Sequence, residues 1–437
     1  MAREAPAESG DTPAPVRQLF SFEREVLILS VAMFAFSLGF QMTSRYLSEY
    51  VLVLGATPFV AGLLGSFGNV LGAVYPYPGG AFSDRVGSRY ALTIFGLLST
   101  IGFAIWLVAP AIGTIDLAGL AVEPWVWLFV GLVLAQAWKS LGLGATFAIV
   151  KQAVDEAHLA RGFASTETFR RTAFLLAPLL TAGALFLGGG DLLPGFVYVL
   201  AIAVAFGAVA TVVQHVFYDA SGDTIGPSVS GAGDLLSDLR TLPTELRPLL
   251  IGDTVVRFAN GMVYPFFILV VTRHLVVDVT LFDVYLSPEV FFGVLLAVEM
   301  IVALLVMAPA ARLAERVGLV PVVGLGFAVY ATFPALVIFA SPDPLVVTAL
   351  FAFSGLRFAG LPSHKALIVG PAERDTGGRV TGAYYLLRNA VVIPSAALGG
   401  ALWDFVSPEL AFSVATAIGL LGTAYFLLLG REFEAYR

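Results

Sequence analysis

Three ionisable residues lie near the middle of long apolar stretches in this sequence: Lys139, Glu299 and Arg357. A charged group at the centre of a bilayer costs on the order of 3 kcal/mol, so each of the three needs a structural or functional reason. The two cations favour contact with a cavity that holds a polar solute. The lone carboxylate fits a reversible proton carrier, and a structural hydrogen bond to a neighbouring helix is the alternative.

Further polar residues are spaced along helical faces. Asp253, Arg257 and Asn260 follow one another at i, i+4 and i+7, so a helix places them on one face. An internal ion pair between Asp253 and Arg257 agrees with this spacing as well as a cavity wall does. Arg45 and Glu49 form a second pair four residues apart, in the outer part of the first apolar stretch.

Three other arginines lie closer to the ends of their apolar stretches. Arg170 and Arg171 are near enough to one end for their side chains to snorkel to a polar interface. Arg388 lies about two helical turns into its stretch, so its side chain could either snorkel to the interface or line the solute pathway.

The composition indicates that lipid is the solvent of most of the chain. Of the 437 residues, 58% are hydrophobic and 13% are charged, with a mean hydropathy of +0.89. Soluble domains carry about 25% charged residues. The net charge of -7 offers no basic surface for nucleic acid. The absence of cysteine excludes disulfides and thiolate metal sites, and the histidines lack metal-ligand spacing, so we expect no cofactor.

Twelve apolar runs are long enough to cross a bilayer, since a helical span needs about 20 residues. The N-terminal six cover residues 26–48, 57–82, 90–112, 125–150, 165–187 and 195–217. The C-terminal six cover residues 248–273, 288–311, 320–340, 344–368, 380–402 and 409–430. The sequence therefore predicts an all-α integral membrane protein with two pseudo-symmetric six-helix bundles, at residues 26–217 and 248–430.

The polar segments predict how the chain crosses the membrane. Residues 1–25 are expected to form a disordered tail, residues 218–247 a linker, and residues 431–437 a second tail. Residues 1–25 lack the basic region and cleavage site of a signal peptide, so the first apolar run is expected to be retained. Lys and Arg occupy alternate connections and are absent from those at 113–124, 188–195, 341–344 and 403–408. The positive-inside rule then places both termini in the cytoplasm of a multi-pass cell-membrane protein.

The two predicted bundles repeat one another in sequence. The matched residues are Asp84 with Glu315, Arg85 with Arg316, Gly87 with Gly318, Lys139 with Arg357, and Arg171 with Arg388. Matching loops lie on the same side of the membrane, so the repeat runs parallel about the membrane normal. Such a repeat places a solute site near the midplane between the halves.

The loop after the second span resembles the signature loop of the major facilitator superfamily. Its matched residues are Gly80, Asp84, Arg85, Gly87 and Arg89. Gly87 permits a tight reversal, and Asp84 can cap a helix N-terminus. The resemblance implies the major facilitator fold and secondary transport by alternating access. It also implies that this loop latches the two halves together, with Asp84 contacting the start of the eleventh span.

The second copy of the loop departs from the family pattern. Arg316 and Gly318 keep its centre, while Glu315 replaces the aspartate, Ala311 the first glycine and Val320 the last basic residue. We therefore expect a weaker latch at this copy. By resemblance, both loops would stabilise the outward-open state.

Two further motifs bear on coupling and direction. Lys139 and Gly142 match the fourth-span motif of the family, whose proton-coupled antiporters carry arginine at the basic position, so lysine leaves a role in proton transfer open. Pro178 and Gly183 match the end of the fifth-span antiporter motif, without its upstream glycines. The resemblance implies proton coupling and weakly favours export.

The charges inside the apolar runs leave the substrate open. Four cations are expected to line the cavity: Arg45, Lys139, Arg257 and Arg357. They suggest uptake or exchange of a small organic anion as the alternative to export. Glu49, Asp253 and Glu299 could instead neutralise these cations.

Functions of other classes fit the sequence less well. A membrane-embedded enzyme would need a catalytic constellation, and HExxH, GxSxG and P-loop patterns are all absent from the sequence. A membrane sensor would need a sizeable soluble output domain, and the tails and linker are too short for one. We expect a monomeric carrier in a lipid bilayer whose partners are a small-molecule substrate and H+.

Overall fold

The structure is a computed structural model. It describes residues 24–117, 119–142, 145, 146, 149, 159–219, 244–281, 283–369 and 377–432. Most of the predicted N-terminal tail, of the linker and of the C-terminal tail lies outside these residues.

Helix occupies the described part of each predicted span. The N-terminal helices are α1 (Arg24–Ser44), α2 (Leu47–Val53), α3 (Pro58–Val74), α4 (Pro76–Val86), α5 (Ser88–Ile112), α6 (Val126–Ala135), α7 (Leu159–Leu187) and α8 (Leu192–Phe217). The C-terminal helices are α9 (Arg247–Val263), α10 (Pro288–Val317), α11 (Leu319–Ile338), α12 (Pro344–Gly355), α13 (Leu361–Val369), α14 (Gly377–Val392), α15 (Ser395–Phe405) and α16 (Pro408–Leu429). Helix α9 continues to His274 through a 3-10 turn (Tyr264–Phe266), one helical turn and a π-helical turn (Val270–His274).

Length and hydropathy support the predicted number of spans. Ten described helical stretches are long and apolar enough to cross a membrane. The second span is a pair of helices, α3 and α4, bent by 43° before Pro76. The fourth is described only as the shorter apolar stretch Val126–Leu141. The largest differences from the predicted bounds are α7 and α10, which extend about a turn and a half beyond them at one end.

Proline at the first helical position begins several spans. Helices α10, α12 and α16 each start with a proline after Ser287, Asp343 or Ser407, whose side chain accepts a backbone N–H of the first turn. Proline lacks the N–H that would be unpaired there, and a preceding oxygen satisfies another free donor. These spans therefore have sharply defined starts that can be recognised in the sequence.

Two short β-hairpins, which the sequence analysis did not predict, join spans on the same side of the molecule. Strands β1 (Ile115–Leu117) and β2 (Leu120–Val122) lie between the third and fourth spans. Strands β3 (Val279–Leu281) and β4 (Val284–Leu286) lie between the seventh and eighth. We call this side the hairpin end, and the opposite side, which carries Gly87 and Gly318, the turn end.

The packing of the helices repeats the sequence symmetry. In the N-terminal half, α1 packs on α7 and α8, and α5 packs on α8 and α6. In the C-terminal half, the equivalent α9 packs on α14, α15 and α16, and α11 packs on α16, α12 and α13. The halves meet where α3 packs on α15 and where α7 packs on α10, and the pseudo-two-fold axis exchanges these two interfaces. Two pseudo-symmetric six-span bundles are therefore the observed architecture.

The buried apolar residues of the described chain form three clusters. The largest combines residues of both halves at the hairpin end, among them Tyr50, Trp106 and Phe266. The other two lie towards the turn end, one in the N-terminal half around Phe95 and one in the C-terminal half around Phe327. The halves thus share one core at the hairpin end and have separate cores at the turn end.

Candidate functional site

Glu299 lies at the centre of the molecule and joins the two halves. Its side chain, on α10, is 2% exposed and forms ion pairs with Arg357 of its own half and with Arg45 of the N-terminal half, the latter at 3.9 Å. Ser354 donates a hydrogen bond to the same carboxylate at 3.3 Å. Two cations therefore compete for one buried carboxylate.

Both cations lie where regular helix is interrupted. Arg45 occupies the break between α1 and α2, and Arg357 lies in the 3-10 turn Leu356–Phe358 between α12 and α13. Lys139, the repeat partner of Arg357, lies in a π-helical turn, Ala137–Leu141. Such irregular turns inside helices occur frequently at functional sites.

A second carboxylate, Asp253 on α9, is fully buried among donors from three spans. Arg257 approaches one of its oxygens at 3.2 Å. The other oxygen lies 3.0 Å from the Tyr384 hydroxyl, 3.1 Å from His364 Nε2 and 3.2 Å from Arg388 Nη1. The predicted Asp253–Arg257 ion pair therefore exists, and Arg388 contacts the same carboxylate in the bundle interior.

Tyr330 of α11 connects these two carboxylate centres. Its hydroxyl accepts a hydrogen bond from Arg257 Nη1 at 2.9 Å. The guanidinium carbons of Arg257 and Arg357 lie 4.7 Å and 5.1 Å from the centre of its ring. A continuous series of polar contacts thus runs from Arg45 through the C-terminal half to Asp253.

Lys139 and Asn260 lie apart from this series. The Lys139 side chain is exposed, and its Nζ lies 4.0 Å from the centre of the Phe40 ring. No carboxylate among the described residues forms an ion pair with Lys139. Asn260 is half-buried, and its side chain makes no hydrogen bond in the described part of the chain.

Arg45 and Glu49 do not pair with each other as their spacing suggested. The helix breaks after Ser44, which removes the regular i, i+4 geometry, and Arg45 turns towards Glu299 and the face of Tyr264. Glu49 instead accepts from Arg273 Nη2 at 2.7 Å and from Thr272 at 2.9 Å. Glu49 therefore links the halves at the hairpin end and does not neutralise the central cations.

The two arginines that were expected to snorkel have partners inside the molecule. The guanidinium of Arg170 lies 5.4 Å from the centre of the Phe174 ring. Arg171 Nη1 lies 3.9 Å from the Met307 sulfur of the other half. Their side chains are half-buried.

The signature loop and its second copy share one backbone conformation. Gly87 has φ 84° and ψ 153°, and Gly318 has φ 93° and ψ 165°. Each residue ends one span and begins the next, which is the tight reversal predicted for Gly87. Residues 370–376, which precede α14, lie outside the described residues, and the contact of Asp84 with the start of the eleventh span stays a prediction.

The other loop residues have different surroundings. Arg85, Glu315 and Arg316 are exposed, and Arg89 is half-buried. A Cβ at Gly80 would meet open space, whereas one at Gly79 would overlap the backbone of Leu141. Packing therefore requires glycine at position 79 and leaves position 80 free.

Sequence reasoning missed several residues of the interior network. His364 follows Arg357 at i+7, so their shared helical face was a usable signal. Tyr330 and Arg273 carried no such signal, because their partners lie 73 and 224 residues away in the chain. The described residues contain no group of three or more His, Asp or Glu side chains that could hold a metal ion.

The interior network carries an excess of positive charge. Its cations are Arg45, Arg257, Arg357 and Arg388, and its carboxylates are Asp253 and Glu299. Four cations against two carboxylates leave two positive charges, before any contribution from His364. A net positive interior can attract and bind an acidic solute.

Comparison with known proteins relates this architecture to solved structures. No protein-family model and no curated protein matches the chain. The nucleoside transporter NupG superposes with a TM-score of 0.71 at 12% identity, over 93% of this chain and 100% of NupG. A POT family transporter in complex with 5-aminolevulinic acid superposes with a TM-score of 0.71 at 13% identity, over 94% and 98% of the two chains.

A peptide transporter POT in complex with alafosfalin superposes with a TM-score of 0.70 at 14% identity, over 95% and 96% of the two chains. The chain has the major facilitator fold. Identities of this size establish the fold and leave the substrate open. All three structures are of transporters.

Proposed function

We propose that this protein is a secondary transporter that moves a small organic anion across a membrane together with a proton, by alternating access. The observation that carries the proposal is Glu299, which is shared by Arg45 and Arg357 inside a network with excess positive charge. The major facilitator fold and the transporters that share it support the general mechanism.

Proton and anion binding are linked through Glu299 by charge balance. While Glu299 is ionised it neutralises Arg45 and Arg357 in part, and a buried charge without a partner is strongly unfavourable. Protonation of Glu299 removes this partner, so an acidic solute can then bind Arg357. The carrier is thus stable either empty with Glu299 ionised or loaded with both a proton and an anion.

This linkage favours symport over the proton-driven export that the fifth-span motif suggested. In an antiporter, binding of the proton and binding of the solute exclude each other. Here, protonation of Glu299 favours binding of the anion, and the bound anion favours protonation of Glu299. One of the similar solved structures is a complex with 5-aminolevulinic acid and another is a complex with sulfate, and both ligands are acids or anions. We propose that the turn end faces the cytoplasm. The hairpin end, where the two halves share one core, would then face the outside, so the described state would be closed to the outside.

Proton movement in proteoliposomes tests the proposal. The full-length protein is reconstituted with an internal pH dye, and succinate, a neutral sugar or a hydrophobic cation is added outside. We expect the lumen to acidify only with a carboxylate, and we expect Glu299→Gln to abolish this change. Because glutamine resembles protonated glutamate, the variant should still exchange labelled solute across the membrane without a gradient.

Glu123→Gln, which removes a carboxylate from the first hairpin region, is the matched control and should behave as the unmodified protein. Uptake of a carboxylate with no pH change would refute the proton coupling. Acidification of the lumen during solute efflux would replace symport by antiport.

A further inference from the structure

A cleft inside the C-terminal half lies between the seventh, ninth and tenth spans. Its polar lining consists of Arg257, Tyr330, Arg357 and His364, and Phe327 and Phe358 contribute to its apolar wall. The free space inside the cleft is about 10 Å³, which is room for about one water-sized atom such as a single carboxylate oxygen. All of these residues belong to one half, unlike the Glu299–Arg45 link that crosses between halves.

Two guanidinium groups converge on this cleft. Both lie over the ring of Tyr330, and each has a carboxylate partner, Asp253 for Arg257 and Glu299 for Arg357. The Tyr330 hydroxyl accepts from Arg257, so its own hydrogen can be donated to a ligand. An anion near both guanidinium groups would reduce the repulsion between their like charges.

A donor without a partner also lies at this cleft. The Arg357 side chain is 3% exposed, and its Nε–H has no hydrogen-bond partner among the residues that the structure describes. Buried donors are nearly always paired in folded proteins, so an unpaired one at a cleft indicates a missing acceptor. The chemistry of the lining, with two guanidinium groups and a hydroxyl, fits an acceptor that carries negative charge.

We propose that this cleft binds the carboxylate of the transported solute, with Arg257 and Arg357 as charge partners and Tyr330 as a hydrogen-bond donor. The inference rests on the proposed function, since it names where the acidic group of that substrate binds. The solute's acidic group then stays on the C-terminal half while the N-terminal half moves. A free inorganic anion such as chloride shares this chemistry and is the second possible source of the ligand.

Ligand-induced stabilisation of the purified full-length protein tests the site. The unfolding temperature is measured against increasing acetate, succinate or chloride, with a bulky sulfonate salt keeping the ionic strength constant. We expect a carboxylate to raise the unfolding temperature of the unmodified protein. Arg257→Gln should weaken its apparent affinity at least tenfold, and Tyr330→Phe about threefold.

Arg257 is the better position for substitution, because Asp253 keeps His364, Tyr384 and Arg388 as partners when Arg257 is removed. Arg312→Gln, which removes an exposed arginine of α10, is the matched control and should bind with unchanged affinity. Equal carboxylate affinity in Arg257→Gln and the unmodified protein would overturn the inference. Stabilisation by chloride alone, or by none of the probes, would also overturn it.

Proteoliposome transport separates this inference from the proposed function. If carboxylate uptake acidifies the lumen and Arg257→Gln leaves the KM unchanged, the transporter assignment stands and the cleft is not the binding site. If carboxylates stabilise the protein through Arg257 but never change the luminal pH, the site stands and proton-coupled transport is refuted.

Discussion

At the residue scale, buried charges in this molecule are held by shared partners and not by isolated pairs. Asp253 accepts from side chains of three spans, and Glu299 serves two arginines from opposite halves. Removing one member of such a network leaves the others buried without compensation, which is more damaging than the loss of one exposed salt bridge. The two carboxylates differ in one respect that matters for mechanism. Asp253 is surrounded by its own half, whereas Glu299 also depends on the position of the other half.

Asp253 should therefore be mainly structural, and its substitution should reduce stability. Asp253→Asn leaves Arg257 and Arg388 without a carboxylate, and we expect a loss of about 3–5 kcal/mol in the free energy of unfolding. Denaturant titration in detergent micelles measures this loss. The double variant Asp253→Asn with Arg257→Gln should recover part of it, because one uncompensated cation is removed. A single variant as stable as the unmodified protein would contradict this account.

At the element scale, the glycines at the turn end separate consecutive spans. Gly87 and Gly318 adopt a positive φ with ψ near 160°, a region that is nearly restricted to glycine. Each allows a span to end and the next to begin without a loop. The similarity between the two copies is therefore enforced by backbone geometry, independently of any latch that Asp84 makes.

Gly87→Ala and Gly318→Ala should each destabilise the protein by about 1–3 kcal/mol, because alanine is strained in this conformation. Gly80→Ala is the matched control: it belongs to the same signature loop, but its Cβ would meet open space within helix α4. We expect it to be neutral or stabilising by up to about 1 kcal/mol. Thermal unfolding of the three variants checks the comparison, and equal losses at positions 80 and 87 would argue against it.

At the scale of the whole molecule, contacts between the halves define one conformational state. At the hairpin end, Tyr46 donates to the Glu289 carbonyl, Ser287 donates to the Gly190 carbonyl, and Arg273 pairs with Glu49. Close packing of Gly62 against Ala396 and Gly400 brings the second and eleventh spans together. Alternating access requires these contacts to break when the hairpin end opens.

A cross-link across this interface should therefore stop transport. The Ala397 N–H donates to Ser66 Oγ at 2.9 Å, and the chain has no cysteine, so Ser66→Cys with Ala397→Cys creates a single pair. We expect oxidation to reduce uptake in proteoliposomes more than tenfold and a reductant to restore it. Each single-cysteine variant should be insensitive to oxidation. Full uptake by the oxidised pair would show that this interface does not open.

The sequence by itself determined the membrane class, the positions of the spans, the internal repeat and the reversal at Gly87. These properties depend on local composition, on the length of apolar runs and on residues that are close in the chain. The helix breaks near Arg45 and Arg357 were not predicted, because helix propensity and hydropathy both indicate an uninterrupted helix at these positions.

Only the tertiary structure decided which charges meet. Arg45 pairs with Glu299 and Glu49 with Arg273, although spacing suggested that Arg45 and Glu49 would pair with each other. The physical reason is that an ion pair needs side chains within about 4 Å, and these partners approach one another only after two bundles with distant sequence positions have packed. The same packing created the cleft at Tyr330, whose lining comes from three spans and whose chemistry no single segment contains.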